Sequence, residues 1–239
     1  MEKYEFGNPE ASTVFIQVVG EHDLAGVEKE VAQIQKISGN MDFRLIAFKV
    51  NDWNSELSPW KAPAVFGDED FGEGAEKTLD EILDYIAEIN KEKNFIIARS
   101  NTNVSTDTNI YTDTPIHRNN DKVFYIGGYS LAGLFSLWAI YRTDVFSGAA
   151  AASPSAWFPG FIDYMKNNET KSDKIYLSLG DKEEKTRNPV MSTVGDRIRN
   201  MQDLLKAQGK DCILEWNQGN HFREPDLRMA KGFSWLLSD

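Results

Sequence analysis

Cysteine is almost missing from this chain: among its 239 residues Cys212 is the only one. A lone cysteine excludes an intrachain disulfide and a thiolate metal cluster. It sits in Cys212-Ile213-Leu214-Glu215-Trp216, where it reads as a small core residue of a strand rather than a nucleophile. Histidine is scarce as well, with three spread far apart, so no metal-ligand set is recognisable and no metal or other cofactor is expected. No stretch approaches the roughly 18 apolar residues of a transmembrane helix. No Gly-x-Gly-x-x-Gly follows the first predicted strand, which argues against a dinucleotide cofactor. Positive charge is in deficit, since 26 Lys and Arg face 37 Asp and Glu for a formal net charge of −11. Nucleic acid and anionic membranes would repel such a chain, and neither is expected as a partner. The opening Met1-Glu2-Lys3-Tyr4-Glu5-Phe6 places glutamates where a secretion signal would carry lysines and an apolar core. The Asn103-Val104-Ser105 and Asn168-Glu169-Thr170 sequons therefore read as chance, and a cytoplasmic protein is expected.

The remainder is ordinary for a globular protein, with 41% hydrophobic and 26% charged residues. The length suits one domain covering residues 1–239. Short β-branched or apolar runs alternate with helical periodicity. Strands are predicted over Ser12 to Val19, Asp42 to Val50, Val123 to Ile126, Phe146 to Ala152, Lys174 to Leu179 and Cys212 to Trp216. Helices are predicted over Leu24 to Ser38, around Leu79 to Ile89, after Gly133, over Phe161 to Lys166, after Asn188 as N-cap with Pro189 at the first position, and over Leu227 to Leu237. Phe95 to Ala98 reads as a short strand or the close of the preceding helix, and residues 99–121 as an irregular excursion carrying a surface His117. The alternation predicts an α/β fold with a mostly parallel sheet covered on both faces.

Gly127-Gly128-Tyr129-Ser130-Leu131-Ala132-Gly133 lies between a strand and an apolar helix. A serine there matches a nucleophile elbow, whose strained turn leaves no room for side chains two positions away. Gly128 meets that requirement, while Ala132 stands where Gly-x-Ser-x-Gly has its second glycine. A nucleophilic serine needs a base, which in this topology follows the last strand. His221, in Gly219-Asn220-His221-Phe222, is the one histidine placed there; His22 reads as a capping or surface residue. The acid belongs in the loop after the preceding strand, Gly180-Asp181-Lys182-Glu183-Glu184. Glu183 is favoured because its offset from Gly180 gives the loop room to turn, with Asp181 and Glu184 as alternatives. The oxyanion of an acyl-transfer intermediate would take the amide of Leu131 and one from the Asn51-Asp52-Trp53 corner, assigned to Trp53.

Taken together, Ile126 to Leu137, Ser178 to Asn188 and Gly219-Asn220-His221-Phe222, with a Leu57-Ser58-Pro59-Trp60 loop leading to Asp70-Phe71-Gly72, resemble the esterase branch of the α/β-hydrolases, relatives of esterase D and the enterochelin esterases. The resemblance implies an α/β-hydrolase fold, a cofactor-free carboxylic ester hydrolase, and a small-molecule ester substrate. Carried over by position, Ser130 is the nucleophile, His221 the base and the Glu183 region the acid. With no long insertion between Phe158 and Lys174 a lid should be minimal, and Trp60, Phe71 and Trp157 are the candidate pocket walls. The same residues would serve an acyltransferase or an amidase, and a non-catalytic binding protein could keep the fold. An exposed aromatic patch would suit a homodimer without requiring one.

Overall fold

The computed structural model describes residues 1–101 and 122–238, and their side chains outside 91–101. The strands are β1 (Glu2–Gly7), β2 (Thr13–Val19), β3 (Arg44–Lys49), β4 (Val123–Tyr129), β5 (Phe146–Ala152), β6 (Lys174–Gly180) and β7 (Asp211–Asn217). They form one sheet in the order β1-β3-β2-β4-β5-β6-β7. All neighbouring pairs are parallel except β1, which runs antiparallel to β3. The helices are α1 (Glu21–Ile37), α2 (Trp53–Glu56), α3 (Ala75–Asn101), α4 (Leu131–Arg142), α5 (Phe161–Asn167), α6 (Val194–Ala207) and α7 (Pro225–Leu237).

Strand alternation divides the core in two. On β2, Val14, Ile16 and Val18 pack with residues of α3, α4, α5 and α6, whereas Phe15 and Val19 pack with α1 and α7. A strand apolar on both faces must be covered on both, which is why the parallel strands read as continuous apolar runs. Helix α4 is buried from Leu131 through Tyr141, as expected of a helix apolar all round. Helix α7 comes close to the sheet because β4 and β5 carry small residues beneath it. A Cβ on Gly127 would meet the Phe233 ring, and one on Gly148 would collide with the Lys174 carbonyl of β6. This is the α/β-hydrolase architecture, and among the described residues it carries no large lid: only the seven-residue α5 stands between Phe158 and Lys174.

Several elements differ from the sequence reading. β1 was not expected, because Glu2, Lys3, Tyr4 and Glu5 are exposed and give no apolar alternation. Of the two readings of Phe95 to Ala98 the structure gives the helix, since the segment continues α3. The helix after Asn188 begins later than its Pro189 suggests. Asn188 Oδ1 accepts from the Val190 and Met191 amides at 2.9 and 3.1 Å, capping a 3-10 turn (Met191–Thr193) that precedes α6. The long loop after β3 contains α2 and a bridge between Ala62 and Phe71. His117, Asn103 and most of the expected excursion lie outside the described residues. Cys212 is buried in β7, and burial pushes its thiol up to about 12.

Parallel strands deliver their following loops to one edge of the sheet. His22 follows β2, Trp53 follows β3, Ser130 follows β4, Ser153 follows β5, Glu183 follows β6 and His221 follows β7. Gly148 tests the packing beneath them. Gly148→Ala is expected to lower the unfolding free energy by about 1–3 kcal/mol, since backbone on β6 must give way. The measurement is the urea midpoint at unchanged m-value.

Candidate active site

Ser130 joins β4 to α4 with φ 58° and ψ −122°, a backbone conformation that side chains rarely adopt. It is fixed from both sides: its amide donates to Ala152 O at 3.1 Å, and its carbonyl accepts from Leu134 and Ser155 at 3.1 and 3.0 Å. Clearance explains the small residues around it. A Cβ on Gly128 would lie 2.5 Å from the Ala132 carbonyl carbon and 2.7 Å from its methyl. Position 132 accepts a methyl group because position 128 has none.

The structure brings Ser130, His221 and Glu183 together. His221 Nε2 lies 3.1 Å from Ser130 Oγ, and His221 Nδ1 lies 2.7 Å from Glu183 Oε2. The other two carboxylates of the loop face elsewhere. Asp181 Oδ1 accepts from the Gly219 amide at 2.7 Å, pinning the turn after β6 to the turn after β7. Glu184 points at the start of α6, where its Oε2 lies 3.5 Å from Arg199.

Glu183 is held by more than the histidine. Its Oε1 accepts from the Gly180 amide, Ser153 Oγ and Arg228 Nη1, each at 2.7 Å. Its side chain is 4% exposed. Burial pushes the carboxyl upward, but the bonds and charge from His221, with those from Ser153 and Gly180, outweigh it and hold the group below its usual range. Arg228, 1% exposed on α7, also donates to Ser153 Oγ at 2.9 Å, Tyr129 Oη at 3.1 Å and Asn220 O at 2.8 Å. Tyr129 donates to His221 O at 2.6 Å, and burial, more than any neighbour, pushes its hydroxyl up to about 12. Ser153 itself has a positive φ of 45°.

Arg228, Ser153 and Tyr129 were not singled out in the sequence. Arg228 did leave a trace: a cation in the first turn of a helix opposes the helix dipole, and it sits among the apolar positions of α7. Ser153 and Tyr129 left none beyond their position next to strand ends.

A cavity of about 570 Å³ opens above Ser130, within the range of small-molecule sites. Its apolar walls are Trp53, Phe66, Trp157, Met191, Val194 and Phe222. Of the three expected pocket aromatics only Trp157 lines it. Trp60 instead donates from Nε1 to Pro159 O at 2.9 Å and packs on Phe158, Phe161 and Tyr164. Phe71 is buried behind the wall, against Phe66, Trp157 and Phe158. Both were placed wrongly because an aromatic on a loop satisfies core packing as readily as a pocket. Phe66 and Phe222, at 49% and 84% exposed, are the aromatics at the mouth. His22 also lines the cavity, edge-on to Trp53 at 5.1 Å, while the cap of α1 belongs to Asp23, which accepts from the Gly20 amide at 2.9 Å.

Leu131 opens α4 directly after Ser130, and Trp53 opens α2 at the cavity wall. As first residues of their helices, both have amide hydrogens with no carbonyl one turn back to take them. Asp52 caps α2 by accepting from the Ser55 amide at 2.9 Å. Among the described residues no cluster of histidine, cysteine and carboxylates could hold a metal ion, and no helix is long and apolar enough to cross a membrane.

Two stability measurements follow from the buried carboxylate. Arg228→Met should cost about 3–5 kcal/mol, because it leaves Glu183 buried without its cation. Glu183→Gln should be destabilised at pH 7. Because the folded Glu183 is more acidic than an unfolded glutamate of about 4.3, its contribution is present above that value and lost as pH falls through the folded one. The gap between wild type and Glu183→Gln should therefore narrow below about pH 4. Urea titrations at both pH values check it.

No family model and no curated protein matches the sequence. Solved structures do match in fold. An IroE-like serine hydrolase from Shewanella oneidensis superposes with a TM-score of 0.70 at 16% identity, covering 98% of this chain and 74% of that one. The siderophore hydrolase EstA from Aspergillus nidulans gives 0.62 at 19% identity, covering 97% and 85%. The enterobactin esterase FES from Shigella flexneri gives 0.59 at 13% identity, covering 98% of this chain and 54% of that one. At such identities the likeness is one of fold, and the chain has the α/β-hydrolase fold that these esterases and siderophore hydrolases share.

Proposed function

We propose that the protein is a serine hydrolase that cleaves a carboxylic ester of a small molecule through an acyl-enzyme intermediate. The observation that carries this reading is the unbroken line from Ser130 Oγ through the His221 ring to Glu183, at 3.1 and 2.7 Å. A serine hydroxyl is a weak nucleophile until a base takes its proton. His221 Nε2 would take it as Ser130 Oγ attacks the ester carbonyl, and would return it to the leaving alcohol. Glu183, ionised at neutral pH, would hold the proton on Nδ1 and stabilise the imidazolium. The amides of Leu131 and Trp53 would donate to the tetrahedral oxyanion, a contribution of about 3–4 kcal/mol per donor in related chemistry. Water would then attack the acyl-enzyme by the same steps in reverse. The fold shared with known esterases and siderophore hydrolases supports the reaction class.

The pocket assignment has its own support: Trp157 lines the cavity and Trp60 does not. The acid assignment rests on Glu183 facing His221 while Glu184 faces Arg199.

A fluorophosphonate probe should label the wild type at Ser130 and leave Ser130→Ala unlabelled. On p-nitrophenyl esters Ser130→Ala should lose roughly five to six orders of magnitude in kcat. Glu183→Gln should lose about four, while Glu184→Gln stays near wild type. Trp157→Ala should shift the preferred acyl chain length, and Trp60→Ala should not. A folded wild type that neither labels nor turns over any ester would overturn the reading.

A further inference from the structure

Beside the catalytic cavity lies a smaller chamber of about 200 Å³, between β2, α1 and α7. It shares His22, Asp23, Tyr129 and Pro225 with the larger cavity, so the two adjoin. Its far wall carries Gln17 of β2 and Glu30 of α1, each 3% exposed. Gln17 Nε2 donates to Glu30 Oε2 at 3.0 Å. The remaining oxygens, Gln17 Oε1 and Glu30 Oε1, are buried and have no hydrogen-bond partner. Native proteins rarely leave buried acceptors unsatisfied, because each has given up water for nothing in return.

The other charged groups around the chamber decide what would satisfy them. Asp23 lines it, and burial pushes its carboxyl up despite the bond from the Gly20 amide. Asp226 lines it too, but is already engaged by Lys29 Nζ at 2.7 Å and Gln33 Nε2 at 3.1 Å. His22 Nε2 lies 3.4 Å from Asp23. Among the described residues Lys29 is the one lysine or arginine on the wall, and Asp226 takes it up. Among the described residues no lysine or arginine lines the catalytic cavity, and the whole chain carries a net charge of −11. A polyanionic substrate would meet repulsion on approach and no lysine or arginine among the described lining residues.

We propose that this chamber is a subsite for a protonated primary amine on the substrate, so that the ester cleaved at Ser130 is that of an amino-functional small molecule. The second half rests on the hydrolase reading above; the first does not. An ammonium group brings three donors and a positive charge, enough for both orphan oxygens and for Asp23. An alcohol brings one donor and no charge. Burial, more than any neighbour, drives the Glu30 carboxyl well above its usual range, which favours the neutral form until a cation is beside it. Binding of an ammonium would ionise it: the Glu30 proton leaves to solvent and the carboxylate pairs with the cation.

The test is direct binding to the wild-type protein by calorimetry, with n-propylammonium chloride as probe and 1-propanol and sodium propionate as controls. Titration in two buffers of different ionisation enthalpy reads the proton count. The expected result is binding of propylammonium alone, with net proton release. Glu30→Gln, which keeps size and hydrogen-bonding capacity, should weaken binding by about tenfold or more and abolish the release. In turnover, p-nitrophenyl 6-aminohexanoate should exceed p-nitrophenyl heptanoate in kcat/KM, and Glu30→Gln should erase that preference. No propylammonium binding, or binding without proton release and unaffected by Glu30→Gln, overturns the subsite and leaves a water-filled chamber. Fluorophosphonate labelling is scored separately. Labelling without amine binding sinks only the subsite, and amine binding without labelling sinks only the esterase reading.

Discussion

A buried carboxylate stays ionised only if something inside answers it, and Glu183 is answered by His221 on one oxygen and by Ser153, the Gly180 amide and Arg228 on the other. Between them Arg228 and Glu183 reach the ends of β4 and β6 through Tyr129 and Gly180, and the loops after β5 and β7 through Ser153 and Asn220. Taking two charges out of water costs several kcal/mol per ion, and such a pair repays that only when its other hydrogen bonds are made. Here Oε1 of Glu183 accepts three and the guanidinium donates four, so the condition is met. What the cluster gains is geometry: with the carboxylate immobile, the imidazole has one orientation, and it is the one that faces Ser130.

Much of this could be read from the residues because the constraints are local. The glycine at 128 is required by the close approach of Ala132, and both lie within a few residues of the serine they serve. Topology did the rest, since parallel strands must present their loops at one edge, which put a histidine after the last strand and an acid after the one before. Elements shaped by distant partners were hidden. β1 shows no apolar alternation, since Glu2 to Glu5 are exposed and only Phe6 packs on the core, so its pairing with β3 is what makes it a strand. Arg228 is legible as an anomaly in α7, but its partners lie up to 99 residues away in sequence. Trp60 and Phe71 illustrate the converse, two loop aromatics whose neighbours on α5 and the segment before it drew Phe71 into the core and Trp60 against it.

The charge of the molecule and the lining of its cavities point the same way. Acidic groups outnumber basic ones over the chain, and among the described residues no lysine or arginine lines the cavity above Ser130. Relatives in fold that differ in more than four residues of every five have room to differ in this respect as well. A shared scaffold fixes where the loops arrive, and leaves to each sequence what those loops present.

Ser130 occupies its turn at φ 58°, where a side chain is out of place. Such a conformation costs on the order of 1–3 kcal/mol, while glycine's extra freedom in the unfolded chain costs roughly 0.5–1. The fold would thus be firmer with glycine at that corner. Natural selection for thermal robustness alone would discard the hydroxyl, so under the proposed function its awkward seat is a trade between durability and use.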